Sequence, residues 1–147
     1  QLLDAGADTG VMGEVLALLG YKELVAMDLS TDMLEVARKK GIYRDVRRMV
    51  MGEQLDFPDN AFAGATAVGV LCVAHAPPES FAELIRCTRS GGCIIFSVRA
   101  DAQGFREVQD GLERDNKWGL LETAGPFVSL PLGEPDIKHQ VFAYRVV

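Results

Sequence analysis

The 147-residue chain has 24% charged and 48% hydrophobic residues, a balance that is ordinary for one globular domain and excludes a disordered or low-complexity chain. Its formal net charge of −6 disfavours nucleic acids and anionic membranes as partners, because phosphate groups are neutralised by clustered Lys and Arg. The one basic cluster, within residues 38–48, is interpreted as a solvated helix end.

The cysteines predict the compartment and argue against a metal centre. Cys72, Cys87 and Cys93 are too few and too scattered for a disulfide framework, and no signal peptide or long apolar span accompanies them. A reducing, cytoplasmic location is therefore expected. Cys72 and His75 suggest a metal site or an activated thiol, but zinc needs three or four ligands and His139 is the only other imidazole. A buried thiol and an ordinary loop histidine are favoured, and no metal is expected.

Hydrophobic periodicity predicts strands and helices in alternation along most of the chain. The predicted elements are, first, a strand ending at Asp4, a helix over 11–19, a strand over 24–28 and a helix over 31–40. A strand over 47–52, a strand over 65–73 and a helix that begins after 77–78 and stops by 91–92 come next. A strand over 93–98 and a helix around 105–112 follow. Ser30 is a good N-cap for the second helix. The glycines between the first strand and the first helix predict a tight loop that a ligand can approach closely.

The C-terminal segment has a different pattern. Two strand-like runs, 127–130 and 140–147, have no helix-length segment between them. Parallel neighbours need a crossover of about a dozen residues, so this pair is predicted to be an antiparallel hairpin that turns at 133–135. The fold class is therefore α/β, a doubly wound, mostly parallel, Rossmann-like sheet with an antiparallel C-terminal strand hairpin. Since the chain opens almost inside a strand that should be internal, we expect residues 1–147 to be one N-terminally truncated domain.

Two acids mark the expected ligand site. Asp4 and Asp28 end the first two strands, and ligands of doubly wound sheets bind beyond those carboxyl ends. Asp28 follows the glycine loop by about 20 residues, the spacing at which an acid reaches a ribose, which indicates an adenosine-type ligand. The alternative is that Asp28 only caps the next turn. Glycine spacing leaves the nucleotide open, because Asp8 interrupts both a dinucleotide fingerprint and an acid-x-Gly-x-Gly-x-Gly loop.

Four segments together carry a specific resemblance. In order and spacing, LDAGADTG (3–10), MDLSTDMLEVA (27–37), LDFPDNAF (55–62) and LIRCTRSGG (84–92) resemble the motifs of class I S-adenosylmethionine-dependent methyltransferases. ARKKGIY (37–43) and YRV (144–146) look most like the small methyltransferase-like proteins related to the one encoded in the Williams-Beuren region. The resemblance implies the class I methyltransferase fold without its N-terminal helices.

The resemblance also implies a role for each site residue. Asp4 would orient the loop, Gly6 and Gly10 would let the backbone wrap the methionine part of S-adenosylmethionine, and Asp28 would bind the ribose. The adenine would lie against Leu29 and Met33, with Glu53 near its amino group and the Gln54 backbone facing the ring. The segment from Leu71 to His75 would lie under the sulfonium and the incoming nucleophile, and the candidate bases are His75 and Glu53. Asp8, in place of a family glycine, would either face the cofactor's ammonium group or obstruct binding.

The expected function is transfer of a methyl group from S-adenosylmethionine to an unidentified, small-molecule acceptor, with S-adenosylhomocysteine as product (EC 2.1.1.-). No Asn-Pro-Pro-Tyr-type segment follows the fourth strand, which with the acidic charge makes a nucleic acid acceptor unlikely; no membrane association is expected. The alternative is a non-catalytic binding or scaffold protein, favoured by Asp8, by Ala63 in place of an acid, and by the missing N-terminal cover. A nicotinamide-dependent oxidoreductase is disfavoured by the incomplete glycine loop. Trp118 and Tyr43 are predicted to pack rather than to line an acceptor site.

Overall fold

The computed structural model describes all 147 residues and contains seven strands and four helices. In chain order they are β1 (Leu2–Ala5), α1 (Val11–Leu18), β2 (Leu24–Asp28), α2 (Thr31–Lys39), β3 (Tyr43–Arg48), β4 (Phe62–Ala67), α3 (Ser80–Cys87), β5 (Thr88–Arg99), α4 (Gln103–Arg114), β6 (Trp118–Val128) and β7 (Lys138–Val146). None of the four helices is long and apolar enough to cross a membrane.

All seven strands form one sheet in the order β3-β2-β1-β4-β5-β7-β6. Strands β1 to β5 pair in parallel, whereas β7 pairs antiparallel with both β5 and β6. This topology confirms the predicted fold class and the internal position of β1. The strand order reverses between β1 and β4, so a crevice opens beyond the carboxyl ends of these two strands.

The apolar run of β2 is buried on both faces of the sheet, as its sequence predicts. Successive side chains point to opposite faces, and they enter two different hydrophobic clusters. Val25 and Met27 belong to the main core of 23 buried residues, which also holds side chains of α3 and α4. Ala26 belongs to a small cluster with Leu34 of α2. The sheet is therefore covered on both sides where the crevice forms.

The predicted third strand is wrong in position. The alternating methionines at 49 and 51 suggested a strand over 47–52, but β3 ends at Arg48. As the edge strand, β3 needs only Tyr43 and Val46 to pack against the small cluster, so its hydrophobic pattern is weak. Met51 lies in the main core as part of the loop that follows. The same placement corrects the interpretation of the basic cluster as a helix end, because the last three arginines of the cluster lie on β3.

The apolar run predicted as one strand over 65–73 divides into two structures. Strand β4 covers Phe62–Ala67, and residues 68–73 leave the sheet to border the crevice. Gly69 turns the chain with φ 72°, and its N–H donates to Ser97 Oγ at 2.9 Å. A strand buried on both faces and an apolar ligand-facing loop have the same composition, so hydrophobicity alone does not separate them.

The C-terminal hairpin is confirmed, but its first strand is longer than predicted. Strand β6 begins at Trp118, which is buried, and most of its other residues are exposed. Because β6 is an edge strand, its sequence lacks the apolar alternation that marks a half-buried strand. The Trp118 ring stacks on Tyr144 with ring centroids 4.2 Å apart. Both prove to be core residues, which confirms the predicted packing role of Trp118.

Candidate active site

A cleft of about 360 Å³ lies at the carboxyl ends of β1, β2 and β4. It lies at the reversal of strand order, and its volume is within the usual range for a small-molecule site. Three segments line it: the loop after β1 with the start of α1, Asp28 at the end of β2, and the 68–70 segment after β4. The predicted residues Gly6, Asp8 and Asp28 are all among its lining residues.

The loop after β1 takes its shape from left-handed backbone conformations. Gly6 and Gly10 have φ angles of 72° and 87°. Asp8, between them, has φ 50°, a region that Asp and Asn enter more readily than other side-chain-bearing residues. An acid can therefore stand at this position, where the family resemblance implies a glycine, without changing the backbone path. The exposed Asp8 carboxylate adds a negative charge to the cleft lining.

Asp28 holds the loop and faces the cleft at the same time. Its Oδ2 accepts a hydrogen bond from the Asp8 N–H, and its Oδ1 accepts one from the Ser30 N–H, each at 2.9 Å. The capping interaction that sequence analysis set against a ligand role is therefore present. These two hydrogen bonds do not use the whole acceptor capacity of the carboxylate, because its two oxygens offer about four acceptor sites. The remaining acceptor positions can take two vicinal hydroxyl groups.

Asp4 is not part of the cleft lining. It is buried behind the loop, where its Oδ2 accepts from the Tyr43 hydroxyl at 2.5 Å and its Oδ1 accepts from Thr66 Oγ1 at 3.2 Å. Burial raises the pKa of the Asp4 carboxyl, although hydrogen bonds from Tyr43, Thr66 and the Gly13 backbone act in the opposite direction. Asp4 thus joins β1 to β3 and β4, and its position suits orientation of the loop rather than contact with a ligand.

Tyr43 is a residue whose structural importance sequence analysis underestimated. An added Cβ on Gly13 would lie 2.0 Å from the Tyr43 hydroxyl, and one on Gly10 would lie 3.1 Å from its ring. The ring therefore packs directly against the loop and the first turn of α1, which confirms the predicted packing role. Only the fold brings β3 over these glycines, so no local signal in the sequence could have shown the contact.

The other predicted cofactor residues are not in the lining of this cleft. Leu29 and Met33 follow Asp28 and are 48% and 40% exposed, so their apolar surfaces are free to meet a ligand. Glu53 and Gln54 are exposed on the loop after β3. Leu71 is buried and lines a separate cleft.

Val70 was not predicted as a site residue, yet it meets the glycine loop directly. An added Cβ on Gly6 would lie only 2.4 Å from Val70 Cγ2. The loop after β4 is thereby packed onto the loop after β1, with Val70 also lining the cleft. Its position in an unbroken apolar run concealed this contact, because the run was interpreted as strand.

A second cleft of about 410 Å³ lies beside the first. Its wall combines four residues of the loop after β4 with the β5–α4 junction: Leu71, Cys72, Val73, Ala74, Arg99, Asp101, Ala102 and Phe105. Consecutive residues of one loop, 68–70 and 71–74, therefore line the two clefts. Most of the second wall is apolar. Arg99 is paired with Asp101, its Nη2 lying 2.8 Å from Oδ2.

Cys72, which lines this second cleft, pairs with His75. Cys72 Sγ lies 3.2 Å from His75 Nδ1 across a tight turn in which the His75 N–H donates to the Cys72 carbonyl. Burial alone would raise the pKa of the Cys72 thiol, but the hydrogen bonds from His75 and Ala74 hold it below its ordinary value. His75 is exposed, and its Nε2 has no protein partner. No three His, Cys, Asp or Glu side chains cluster closely enough to hold a metal ion.

This arrangement, a glycine loop and a strand-end acid at the switch point of a doubly wound sheet, defines a nucleotide-binding α/β protein of the class I methyltransferase type. The chain matches the family described as "Methyltransferase domain" over residues 3–96, and it belongs to that family. Members of this family use S-adenosylmethionine as methyl donor.

Individual relatives agree with this assignment. Malonyl-[acyl-carrier protein] O-methyltransferase from Serratia marcescens is 35% identical over 78% of this chain and 44% of its own length. Human methyltransferase-like protein 27 is 27% identical over 82% of this chain and 52% of its own length. The chain thus spans about half the length of these curated relatives. A solved S-adenosylmethionine-dependent methyltransferase from Methanosarcina mazei shares the fold with TM-score 0.74, at 14% identity over 99% of this chain and 92% of that one.

Proposed function

We propose that this chain binds S-adenosylmethionine and transfers its methyl group to a small-molecule acceptor. The observation that carries the proposal is the position of Asp28. Its carboxylate lies in the lining of a glycine-loop cleft and keeps acceptor capacity after binding two backbone N–H groups. A carboxylate in this position suits the two hydroxyls of a ribose, since charge-assisted hydrogen bonds are stronger than neutral ones.

The residues present fit the proposed cofactor. Gly6 and Gly10 present backbone without Cβ atoms, so the loop can follow the methionine part. The Asp8 carboxylate is placed to attract the ammonium group of that part, and Leu29 and Met33 offer apolar surface to the adenine. When bound, the cofactor supplies an already activated methyl group on its sulfonium. The chain itself then aligns the acceptor with the methyl group and excludes water. Such positioning can lower the activation barrier by as much as about 7–11 kcal/mol.

The second cleft is the proposed acceptor site. It shares the loop after β4 with the first cleft, so an acceptor there would lie beside the cofactor's reactive end. His75 is the proposed general base if the acceptor is protonated. Cys72 would hydrogen-bond to His75 Nδ1, so that Nε2 is the ring nitrogen that accepts a proton from the methyl acceptor.

Charge pairing favours a small molecule over a nucleic acid as acceptor. Arg44 pairs with Glu23 and Arg47 with Asp45, while Arg48 Nε donates to the Leu29 carbonyl at 3.0 Å. The basic cluster is therefore largely engaged within the protein. The Serratia relative is named for an acyl-carrier-bound acceptor. A 31% identical Arabidopsis thaliana relative is named 18S rRNA (guanine-N(7))-methyltransferase RID2, so RNA belongs in an acceptor screen.

Calorimetric titration tests the proposal directly. The chain is titrated with S-adenosylmethionine and S-adenosylhomocysteine, with NADH as the control for a nicotinamide site. We expect micromolar binding of the two sulfur nucleosides, loss of that binding in Asp28→Ala, and no heat with NADH. Because Asp28 also caps the loop, Asp28→Asn is the milder variant: it keeps the shape and one acceptor oxygen, but it removes the charge and one of the two backbone hydrogen bonds. Equal affinity of wild type and both variants would overturn the assignment.

A second candidate function, a non-catalytic binding or scaffold protein, is favoured by Val70. Its side chain packs on Gly6 and narrows the cleft where the loop would follow the cofactor. The variant Val70→Ala tests whether the Val70 side chain prevents cofactor binding. Recovery of S-adenosylhomocysteine binding in this variant, after none in wild type, would mean that the chain has the cofactor site but keeps it closed.

Two narrower assignments accompany the proposal. A place among the methyltransferase-like proteins related to the Williams-Beuren region methyltransferase is supported by the similarity to human methyltransferase-like protein 27. A cytoplasmic location is supported by the three cysteines, all of which are free thiols.

A further inference from the structure

Two carboxylates and no basic side chain line the cleft proposed for the cofactor. Asp8 and Asp28 are the charged residues of the lining, which contains no Lys, Arg or His. None of the salt bridges of the protein involves either acid. The charges of both carboxylates therefore act on whatever ligand enters the cleft.

The two acids are close neighbours. Asp28 Oδ2 accepts the hydrogen bond of the Asp8 N–H at 2.9 Å, and the Asp8 side chain leaves the backbone at the Cα atom bonded to that nitrogen. Asp8 is exposed, and no hydrogen bond within the protein ends on its carboxylate oxygens. The Asp8 carboxylate is therefore free to meet a ligand beside the acid proposed to bind the ribose.

The N-terminus of α1 opposes this negative charge only in part. Gly10 is the N-cap and provides no side-chain cap, and the following residues, Val11 and Met12, line the cleft. The end of a helix is equivalent to about half an elementary positive charge, and its effect fades within the first turn. This end suits the carboxylate of a bound amino acid, but the two aspartates of the lining outweigh it.

The covalent structure of S-adenosylmethionine places its sulfonium between the groups that the two acids would bind. The sulfonium sulfur is bonded to the 5′-carbon of the ribose, and two methylene groups join it to the carbon that carries the ammonium. With the ribose on Asp28 and the ammonium near Asp8, the sulfonium would lie between the two carboxylates. Coulomb attraction falls only with the inverse of distance, so it would act on the sulfonium without direct contact.

We propose that Asp8, together with Asp28, makes the cleft select for positive charge, so that it binds S-adenosylmethionine more tightly than S-adenosylhomocysteine. The inference rests on the proposed function. Methyl transfer forms a bond between the methyl carbon and the acceptor and breaks the bond from that carbon to sulfur. The electron pair stays on sulfur, which becomes a neutral thioether. The reaction thus removes the charge that the two acids attract, and product inhibition should be weak.

Calorimetric titration tests the proposal with three ligands: S-adenosylmethionine, S-adenosylhomocysteine and 5′-deoxy-5′-methylthioadenosine, a neutral nucleoside without the amino-acid end. In wild type at low salt we expect S-adenosylmethionine to bind about fivefold more tightly than S-adenosylhomocysteine. Asp8→Asn removes the charge but keeps the size and the tolerance for a left-handed backbone. It should bring the two affinities to within about twofold and leave that of the neutral nucleoside unchanged.

Two controls separate a local charge effect from a general one. Glu122→Gln changes the net charge by the same amount on β6, the edge strand farthest from the cleft in that half of the sheet, and it should keep the wild-type ratio. Raising the salt concentration from about 0.05 M to about 0.5 M should reduce the wild-type preference, because Asp8 is exposed and ions screen its charge.

Asp8→Gly is the second variant if Asp8→Asn does not fold, because glycine also adopts the left-handed conformation of this position. An unchanged ratio in a folded Asp8 variant would overturn the proposal. Equal tightening of both charged ligands would overturn it as well, since Asp8 would then merely obstruct the cleft. Wild type that binds the nucleosides without preference refutes this inference alone. Wild type that binds none of the three refutes the proposed function and with it this inference.

Discussion

The loops after β1 and β3 border the same edge of the sheet, but they are held by different means. The loop after β1 is shaped by its own backbone, with Gly6, Asp8 and Gly10 at positive φ, and it is backed by the buried Asp4. The loop after β3 also contains two left-handed residues, Gly52 at φ 94° and Asn60 at φ 58°. Its middle, however, is held by side chains from other elements: Arg47 of β3 donates to the Asp56 carbonyl at 3.1 Å, and Arg86, far along the chain, donates to the carbonyls of Leu55 and Phe57. Residues that shape their own backbone leave a pattern in the sequence, whereas a side chain that binds a loop from a distant helix does not.

The difference also predicts how each loop fails. A loop built on close backbone approach should fail through steric overlap when a Cβ is added. A loop held by hydrogen bonds from a distant side chain should fail through loss of those bonds, with the core intact.

The largest effect is expected for Gly6→Ala. The new Cβ would lie 2.4 Å from Val70 Cγ2 at a backbone φ of 72°. Overpacking costs about 1–3 kcal/mol, and a left-handed conformation with a Cβ adds about 1–2 kcal/mol. Gly20→Ala is the matched control, since Gly20 has φ 95° and nothing within 4 Å. Chemical denaturation should show a clearly larger loss of unfolding free energy for Gly6→Ala; equal losses would contradict the packing of Val70 on the loop.

A smaller effect is expected for Tyr43→Phe. It leaves the buried Asp4 Oδ2 without its 2.5 Å hydrogen bond, a loss of about 1–3 kcal/mol for an unsatisfied buried acceptor. Tyr21→Phe is the control, because Tyr21 is 50% exposed. Thermal melts should separate the two variants. If both melt alike, the Tyr43 to Asp4 hydrogen bond contributes nothing to the fold.

Acid should affect the two regions in opposite directions. The folded-state pKa of Asp4 is raised above 3.8 by burial, so the folded state binds the extra proton and stability falls as pH rises through that window. Arg86 lowers the pKa of Glu83 below 4.5, so the stability from Glu83 is present above that value and is lost as pH falls through its lowered pKa. Unfolding titrations from about pH 3 to about pH 6 should show less acid destabilisation in Glu83→Gln and more in Asp4→Asn. The same slope in all three proteins would refute both assignments.

The smallest effect is expected for Arg99→Lys. The Arg99–Asp101 pair is exposed and isolated, so solvent screens its attraction. We expect the unfolding free energy of Arg99→Lys to equal that of wild type within the error of a denaturant titration. A measurable loss would show that the pair supports the second cleft despite its exposure.

The sequence predicted the parts of the cleft that depend on local chemistry. Glycine spacing indicated the loop after β1, Asp28 at the end of an apolar run indicated a strand-end acid, and the structure places both at the cleft. Asp4, predicted to orient the loop, lies behind it, and Leu71, predicted to lie under the sulfonium, lines the second cleft. Periodicity in the sequence shows that a residue lies at the end of a strand, but the packing of neighbouring strands decides the direction in which its side chain points.

Alternation and loop spacing in the sequence determined the α/β class, the internal first strand and the C-terminal hairpin, because these follow from nearest-neighbour geometry and short connections. The tertiary structure alone decided that Val70 meets Gly6, that Tyr43 backs the loop, and that Arg86 binds the backbone of Leu55 and Phe57. Each of these contacts joins residues about 30 or more positions apart. Such pairs have no period in the sequence and exist only once the sheet is assembled.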